Sequence, residues 1–418
     1  MVRTPGQGGA VVRSPSGQGY LWMAHRTPGS VGWALAARSM ALWRRMADSE
    51  ELRRSVEWQD CGSLLIATSP AESAALSERQ LNLNDMGVRA SFADARRLRE
   101  LEPGLVVPRG GAGLLVQSDH QINGRATAHM LLELCRGAAG FTERMGTAGE
   151  VLGVELAAAP GGGHVVRTSE GRVTARRALV LSAGVWTGGL LATATRDPRW
   201  GSLLQPRRGH LLEMPAPSGM PPVSHGMMEM SYTKAGGAPH YATATTPHSS
   251  RAGPSAEREA EAVDITFTAT TSASGSLLIG SSREFSGYDS AASPAIVAAI
   301  LQRAALFLPG LKLAAEAAAQ PGTQSGSPAL AGLSVRVGLR PYAVGGLPMV
   351  GPVDGAPGVF VAAGHEGSGL CMGPATGELL SRHVRRHLGE APASGCLDTA
   401  SFDELLPSAR LRAALVAA

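Results

Sequence analysis

Two stretches in the last quarter of this 418-residue chain hold residues whose types and spacing could do chemistry. The first is Val359-Phe-Val-Ala-Ala-Gly-His-Glu-Gly-Ser-Gly-Leu-Cys-Met-Gly-Pro-Ala-Thr-Gly. An apolar run suited to a buried strand enters a loop with Gly364, Gly367 and Gly369. A helix is expected to begin near Leu370, with Pro374 tolerated in its first turn. Glycines let backbone approach a flat ligand, and the unbonded N–H groups of a helix start stabilise negative charge. A ring system that becomes anionic on reduction suits that terminus. A strand–loop–helix connection without a ligand accounts for the same pattern.

The second stretch is Val337-Gly-Leu-Arg-Pro-Tyr-Ala-Val-Gly-Gly-Leu-Pro-Met-Val-Gly-Pro. Arg340 stands among apolar residues just before Pro341, and its planar fork can hold a carboxylate at two points. It is a candidate anchor for an acidic substrate group, with a structural salt bridge as the alternative. No Ser-His-Asp set and no paired-carboxylate site stands out. His25, His210 and His365 could assist a reaction, although the first two read more simply as structural histidines. Cys61, Cys135, Cys371 and Cys396 are far apart and form no C-x-x-C pair, which argues against zinc and for a reducing compartment.

Several elements must position these residues. Ser30 can cap a helix whose Trp33, Ala36, Met40 and Trp43 form a buried stripe. Cys61 to Thr68 reads as a buried strand, 71–86 as a polar helix, Leu98 to Pro103 as a helix end, and Gly124 to Arg136 as another helix. Val151 to Val185 alternates like a meander and ends in Ala178-Leu-Val-Leu-Ser-Ala-Gly-Val-Trp, a buried parallel strand aimed at a tight turn. Residues 206–286 are mostly strand-like, and a helix follows over Pro294 to Phe307. The fold expected is mixed α/β: a discontinuous Rossmann-like domain from 14–60, 120–205 and 335–390. An antiparallel-sheet domain from 61–119 and 206–334 is inserted in it, and 247–263 and 314–329 are expected to be flexible insertions. The two apolar runs, Ala178 to Ser182 and Val359 to Ala363, are expected to pair in one sheet.

Composition agrees with a globular protein, since 44% of residues are hydrophobic and 17% charged. No apolar run approaches the roughly 18 residues needed to span a bilayer. The net charge of +4 does not imply nucleic-acid binding, because the arginines are scattered and their one dense cluster, Arg382 to His387, closes a helix whose dipole it complements. An intracellular setting is expected, cytoplasm or an organelle lumen such as a plastid.

With these motifs in order, "GLRP…GLPMVGP" and "GVFVAAGHEGSGLCMGPATGELL" resemble the C-terminal signature of the FAD-dependent D-amino-acid oxidase, glycine oxidase and sarcosine oxidase superfamily. "ALVLSAGVW" (Ala178 to Trp186) resembles a cofactor-facing strand of that family, and Ser16 to His25 the stretch along its cofactor. Gly275 to Asp289 is similar to a strand and turn of its substrate domain. The resemblance runs from about Ser14 to Leu388. It implies FAD as cofactor, with Gly364, His365, Glu366, Gly367, Ser368, Gly369, Leu370 and Cys371 wrapping the flavin ring. Ala183, Gly184 and Trp186 would lie beside the cofactor, Val151 near its adenine end, and Gly17, Gln18 and Gly19 on its ribityl-phosphate side. Arg340 would anchor the substrate, with Tyr241 a second pocket candidate that also reads as a core tyrosine.

The activity implied is oxidation of the C–N bond of a small amino acid or secondary amine by hydride transfer to flavin N5, with O₂ or another electron acceptor. Three departures stand out. No apolar strand followed by G-x-G-x-x-G precedes Ser14, Gly345 stands where an acidic residue is usual, and Gly367 stands where some members carry a second arginine. The first raises the alternative of a truncated flavoprotein remnant without FAD binding.

Overall fold

Helices start where the sequence supplies caps. In the computed structural model, which describes residues 17–157, 162–231, 263–320, 327–391, 395 and 397–417, strand β1 (Tyr20–Leu21) precedes α1 (Val31–Ala47). The Ser30 hydroxyl accepts from Trp33 N–H at 3.1 Å, and α1 buries Trp33, Ala36, Met40 and Trp43 as its spacing predicts. Next come α2 (Glu50–Ser55), β2 (Ser63–Ala67), α3 (Pro70–Asp85), β3 (Ala90–Ala93), α4 (Ala95–Leu101), β4 (Ala112–Val116), β5 (His120–Gln121) and α5 (Gly124–Arg136). Asp94 and Asn123 cap α4 and α5 with their side chains.

The meander follows as β6 (Val151–Glu155), β7 (His164–Thr168) and β8 (Gly171–Ala175), then β9 (Leu179–Leu181), a 3₁₀ turn (Gly184–Trp186), α6 (Thr187–Thr195) and α7 (Arg199–Leu203). The long β10 (Leu204–Pro215), β11 (Gly226–Glu229), β12 (Asp264–Thr271) and β13 (Ser276–Arg283) lead to α8 (Pro294–Phe307) and α9 (Lys312–Ala319). The chain then runs through β14 (Ser334–Ala343), β15 (Met349–Pro352), β16 (Val359–Ala363), a 3₁₀ turn (Glu366–Ser368), α10 (Gly369–His387) and α11 (Pro407–Ala417).

The strands form an eight-stranded sheet in the order β14-β10-β13-β12-β11-β2-β4-β3, two three-stranded sheets, β15-β16-β9 and β6-β7-β8, and the pair β1-β5. β9 and β16 are parallel neighbours, Leu179 opposite Val359, as two apolar runs ending in small residues predict. Apolar side chains of α8 and α9 pack on the eight-stranded sheet. There Phe307 stacks on Phe267 at 4.3 Å, and Ile296, Ile300 and Leu301 are buried. Each such side chain contributes about 1.5–3 kcal/mol.

Three expectations change. β14 was grouped with the 335–390 segment of the Rossmann-like sheet, yet it pairs along its whole length with β10 in the eight-stranded sheet. Ten consecutive antiparallel pairs outweigh its nearness in sequence to β16. Residues 314–329 were expected to be flexible, but 314–319 belong to α9, which buries Ala314, Ala315, Ala317 and Ala318 against α8 and its neighbours. The Ala-rich composition there is helix propensity, not disorder. Pro374 lies inside α10 rather than in its first turn. Tyr241 and residues 247–262 of the other expected insertion lie outside the described residues. No helix among the described residues is long and apolar enough to cross a membrane.

Candidate active site

The strand β16 delivers the chain to Gly364, whose φ of +88° and surroundings both require glycine. A Cβ there would stand 2.8 Å from that of Ala343. The turn Glu366–Ser368 then opens α10 with no side-chain cap, so the first N–H groups of that helix are left for a ligand. Glu366 takes a φ of +47°, unusual for a residue with a Cβ. His365 Nε2 lies 2.9 Å from Thr376 Oγ1, and burial pushes its imidazole down to about 4, so the ring is neutral near pH 7.

Pro374 cannot donate to the Leu370 carbonyl one turn earlier. Trp43 Nε1 of α1 does so instead, at 3.0 Å, and Ala375 N–H donates to Ser39 Oγ at 2.9 Å. The proline's missing hydrogen bond thereby becomes a link between α1 and α10.

The second turn follows β9. Ala183 leads into Gly184, with φ +57°, and Trp186, whose ring stacks on Tyr288 at 6.2 Å. Trp186 Nε1 and Thr187 Oγ1 are buried and have no hydrogen-bond partner among the described residues.

The segment Gly17 to Ala24 runs between this site and the eight-stranded sheet. Gln18 Nε2 donates to Leu278 O at 3.3 Å, and Cys371 Sγ of α10 reaches Trp22 O at 3.7 Å. At Gly19, φ +88°, a Cβ would fall 1.8 Å from the Ile122 carbonyl oxygen, so only glycine fits. Buried Asp119 accepts from Met23 N–H (2.8 Å), Ala24 N–H (3.1 Å) and Ser63 Oγ (2.7 Å). Its own desolvation outweighs those donors and pushes the carboxyl up to about 6.

The remaining wall comes from β10 and β14. Arg207 and Arg340 are directly opposed across the antiparallel ladder, so their side chains leave the same face. Arg340 Nη1 donates to Ser282 O at 2.9 Å, and its guanidinium covers Gly209, where a Cβ would be 2.2 Å away. Arg207 Nη1 donates to Glu366 at 2.8 Å, and its guanidinium carbon sits 5.3 Å from the Phe285 ring centroid and 5.6 Å from that of Tyr342. Burial pushes the Tyr342 hydroxyl up to about 12, so it stays protonated. A bridge between Tyr342 and His365 ties β14 to the glycine loop, and β14 also packs against the Gly184–Trp186 turn.

Arg208, on the other face of β10, pairs with Glu284 and Asp289. His210 is held between Ser282 Oγ (3.0 Å) and Ser293 N–H (3.1 Å), with burial pushing it down to about 4, which is a structural histidine's setting.

Arg340, Ala183 to Trp186, and the loop from Gly364 to Leu370 therefore meet around β14, with Gly17 to Gly19 and Cys371 joined to them through Trp22 and α10. Val151 stands apart, at the start of β6 in the meander sheet. Arg207, Phe285, Tyr288, Tyr342 and Asp119 escaped the sequence reading. The adjacent Arg207-Arg208 pair in a strand, where alternate side chains face opposite ways, was the signal available for the first.

These residues suit the flavin end of FAD: an uncapped helix start for the anionic pyrimidine edge, orphaned Trp186 and Thr187 groups beside it, and glycines where backbone must come close. A family profile, DAO: FAD dependent oxidoreductase, matches residues 13–383. The chain belongs to this family. Solved structures to which this chain is similar include the following. Glycine oxidase from Geobacillus kaustophilus superposes with a TM-score of 0.67 at 22% identity, covering 93% of this chain and 88% of that one. Iminodiacetate oxidase from Chelativorans sp. BNC1 gives 0.62 at 19%, over 90% and 86%. L-alpha-glycerophosphate oxidase from Mycoplasma pneumoniae, whose structure has FAD bound, gives 0.60 at 13%, over 90% and 84%. No curated protein matches the chain. As a family member the protein is an FAD-dependent oxidoreductase.

Proposed function

We propose that this FAD dependent oxidoreductase oxidises the C–N bond of a small amino acid or a carboxylate-bearing secondary amine. The observation that carries the proposal is the placement of Arg340 on the strand that packs against both cofactor turns. A substrate carboxylate on its guanidinium would hold the α-carbon between β14 and those turns. Similarity to an alcohol-phosphate oxidase shows that the fold alone does not choose the substrate, so the choice rests on this arginine.

The β15-β16-β9 sheet with its two turns serves as the cofactor side, and the eight-stranded sheet as the substrate side. Gly364 to Cys371, Ala183, Gly184, Trp186 and Gly17 to Gly19 hold FAD, which supplies a two-electron acceptor. The chain's own residues do the rest. Arg340 binds and orients, which is worth more here than a protein base because the amine can react in its neutral form. Neutral His365, fixed on Thr376, adds no charge beside the helix start. Phe285 and Tyr342 stand edge to face beside Arg207. The imine product is hydrolysed in solvent, and O₂ or another acceptor takes the electrons onward.

Arg340→Ala should lower kcat/KM for an amino-acid substrate roughly 10²-fold or more while flavin absorbance survives. Arg340→Lys should recover only part, since an ammonium lacks the two-pronged contact. Unchanged turnover in Arg340→Ala would remove the anchor role. Purified chain that takes up no flavin from added FAD would favour the remnant reading instead.

A further inference from the structure

A cleft of about 440 Å³ lies apart from the site described above and shares none of its residues. The last turn of α1 gives it Arg44, the loop after α2 Trp58 and Asp60, the turn from α3 to β3 Arg89, and β5 His120. One wall is satisfied within itself. Asp60 accepts from Arg53 Nη2 at 2.6 Å and from Trp58 Nε1 at 2.8 Å, and His120 Nδ1 lies 2.9 Å from it. The Trp58 ring stands 4.6 Å from that of His120, with the Arg53 guanidinium carbon 5.8 Å from its centroid. The Asp60 charge is thereby spent on Arg53.

Arg44 and Arg89 have no carboxylate partner among the described residues. Arg44 Nη2 donates to Ser118 O at 3.2 Å, and the Arg89 guanidinium makes no hydrogen bond or ion pair there. Both are exposed, so a ligand reaches them without the chain moving. Asp48 also lines the cleft, without an ion pair among the described residues. Beyond the Asp60 wall the cleft therefore sets two guanidiniums against one carboxylate, an excess of positive charge. At Gly87 a Cβ would meet nothing within 4 Å, so the space at that turn is open.

We infer that this cleft binds the phosphate group of a small molecule. One guanidinium fork fills both oxygens of a carboxylate, whereas a tetrahedral phosphate keeps oxygens for a second fork from another side. Arg44 and Arg89, on separate elements, supply two forks. Sites for small organic molecules begin at about 300 Å³, so the cleft has room for the organic part of a phosphate ester beside the Trp58 wall. The inference is independent of the amine substrate proposed above.

The test is calorimetric titration of the full chain with inorganic phosphate, ribose 5-phosphate and acetate. FAD is kept at one concentration throughout, and ionic strength is fixed because exposed charges are screened. Both phosphates should bind at least roughly tenfold more tightly than acetate. Arg44→Gln and Arg89→Gln should each weaken phosphate on the order of tenfold, and the double variant should give no measurable heat. Arg44→Lys should recover part. Arg109→Gln, at an exposed arginine outside the cleft, should change nothing. Tighter binding of ribose 5-phosphate than of inorganic phosphate assigns the rest of the cleft to an organic group, and equal binding assigns the site to free phosphate. Phosphates that bind no more tightly than acetate, or as well in the double variant as in wild type, overturn the site. An equal loss in Arg109→Gln overturns it too, since general charge attraction then accounts for the binding.

Discussion

The two strand–loop–helix turns of the β15-β16-β9 sheet are built from the same parts and finished differently. Each leaves a parallel strand through a positive-φ glycine, at Gly184 and Gly364, and passes a 3₁₀ turn into a helix. The Gly364 turn is sealed by the protein itself: His365 on Thr376, Trp43 on the Leu370 carbonyl, Glu366 on Arg207. The Gly184 turn carries fewer such ties: Trp186 Nε1 and Thr187 Oγ1 are buried without a hydrogen-bond partner among the described residues. Side chains tie down the first turn, where the helix start alone stays uncapped, whereas few ties of its own hold the second. The lesson is that similar backbone motifs in one sheet can divide the work of rigidity and recognition.

The largest effect should come from breaking the seal. Trp43→Ala removes a large buried side chain and strands the Leu370 carbonyl, and should cost roughly 3–5 kcal/mol in denaturant unfolding. Trp43→Phe, which keeps most of the volume, isolates the hydrogen bond at about 1–3 kcal/mol. A loss of under half a kcal/mol in Trp43→Ala would show that the Gly364 turn does not depend on α1.

The seal also has a pH signature. His365 is neutral in the fold, with its pKa pushed down to about 4 from the model-peptide value of 6.5. Between those values the unfolded chain binds the proton and the folded one does not, so stability rises with pH across the window and is lost as pH falls through it. Over the whole window the loss is roughly 3 kcal/mol. His365→Gln should flatten this part of the stability–pH curve, and the slope that remains belongs to groups such as His210, displaced the same way. An unaltered slope would mean that His365 is protonated in the fold.

Alanine at the two glycines compares the turns directly. At Gly364 an added Cβ meets Ala343 as well as an unfavourable φ, whereas at Gly184 it meets nothing within 4 Å. Thermal unfolding should therefore report about 2–4 kcal/mol lost in Gly364→Ala and about 1–2 in Gly184→Ala. Equal losses would erase the distinction in packing.

The smallest change in the cofactor-free protein is expected from Trp186→Phe, below about 1 kcal/mol, because no protein hydrogen bond is removed. Flavin affinity measured by fluorescence quenching should nonetheless fall severalfold. If affinity is unchanged and stability drops instead, the orphaned indole is not completed by the cofactor.

Much of this architecture was legible locally. The cap at Ser30, the stripe of α1, the apolar runs of β9 and β16 and the glycine loop all write their structure in neighbouring residues. The site was legible where it is contiguous, at Gly364 to Cys371 and Ala183 to Trp186. It was not legible where it is assembled across the chain: Glu366 meets Arg207 over 159 positions, and Trp43 meets Leu370 over 327.

The sequence by itself determined which backbone turns sharply and that β16 is buried, because propensity, φ limits and desolvation act on a residue and its neighbours; it did not settle the burial of β9, whose Val180 is 41% exposed. Tertiary structure alone decided that β14 joins β10 rather than β16, that Arg207 faces Arg340, and that Trp43 answers the carbonyl left open by Pro374. Strand register depends on the summed packing of both faces of a sheet, and slipping one strand by one residue would turn Arg207 away and bring Arg208 to the site in its place.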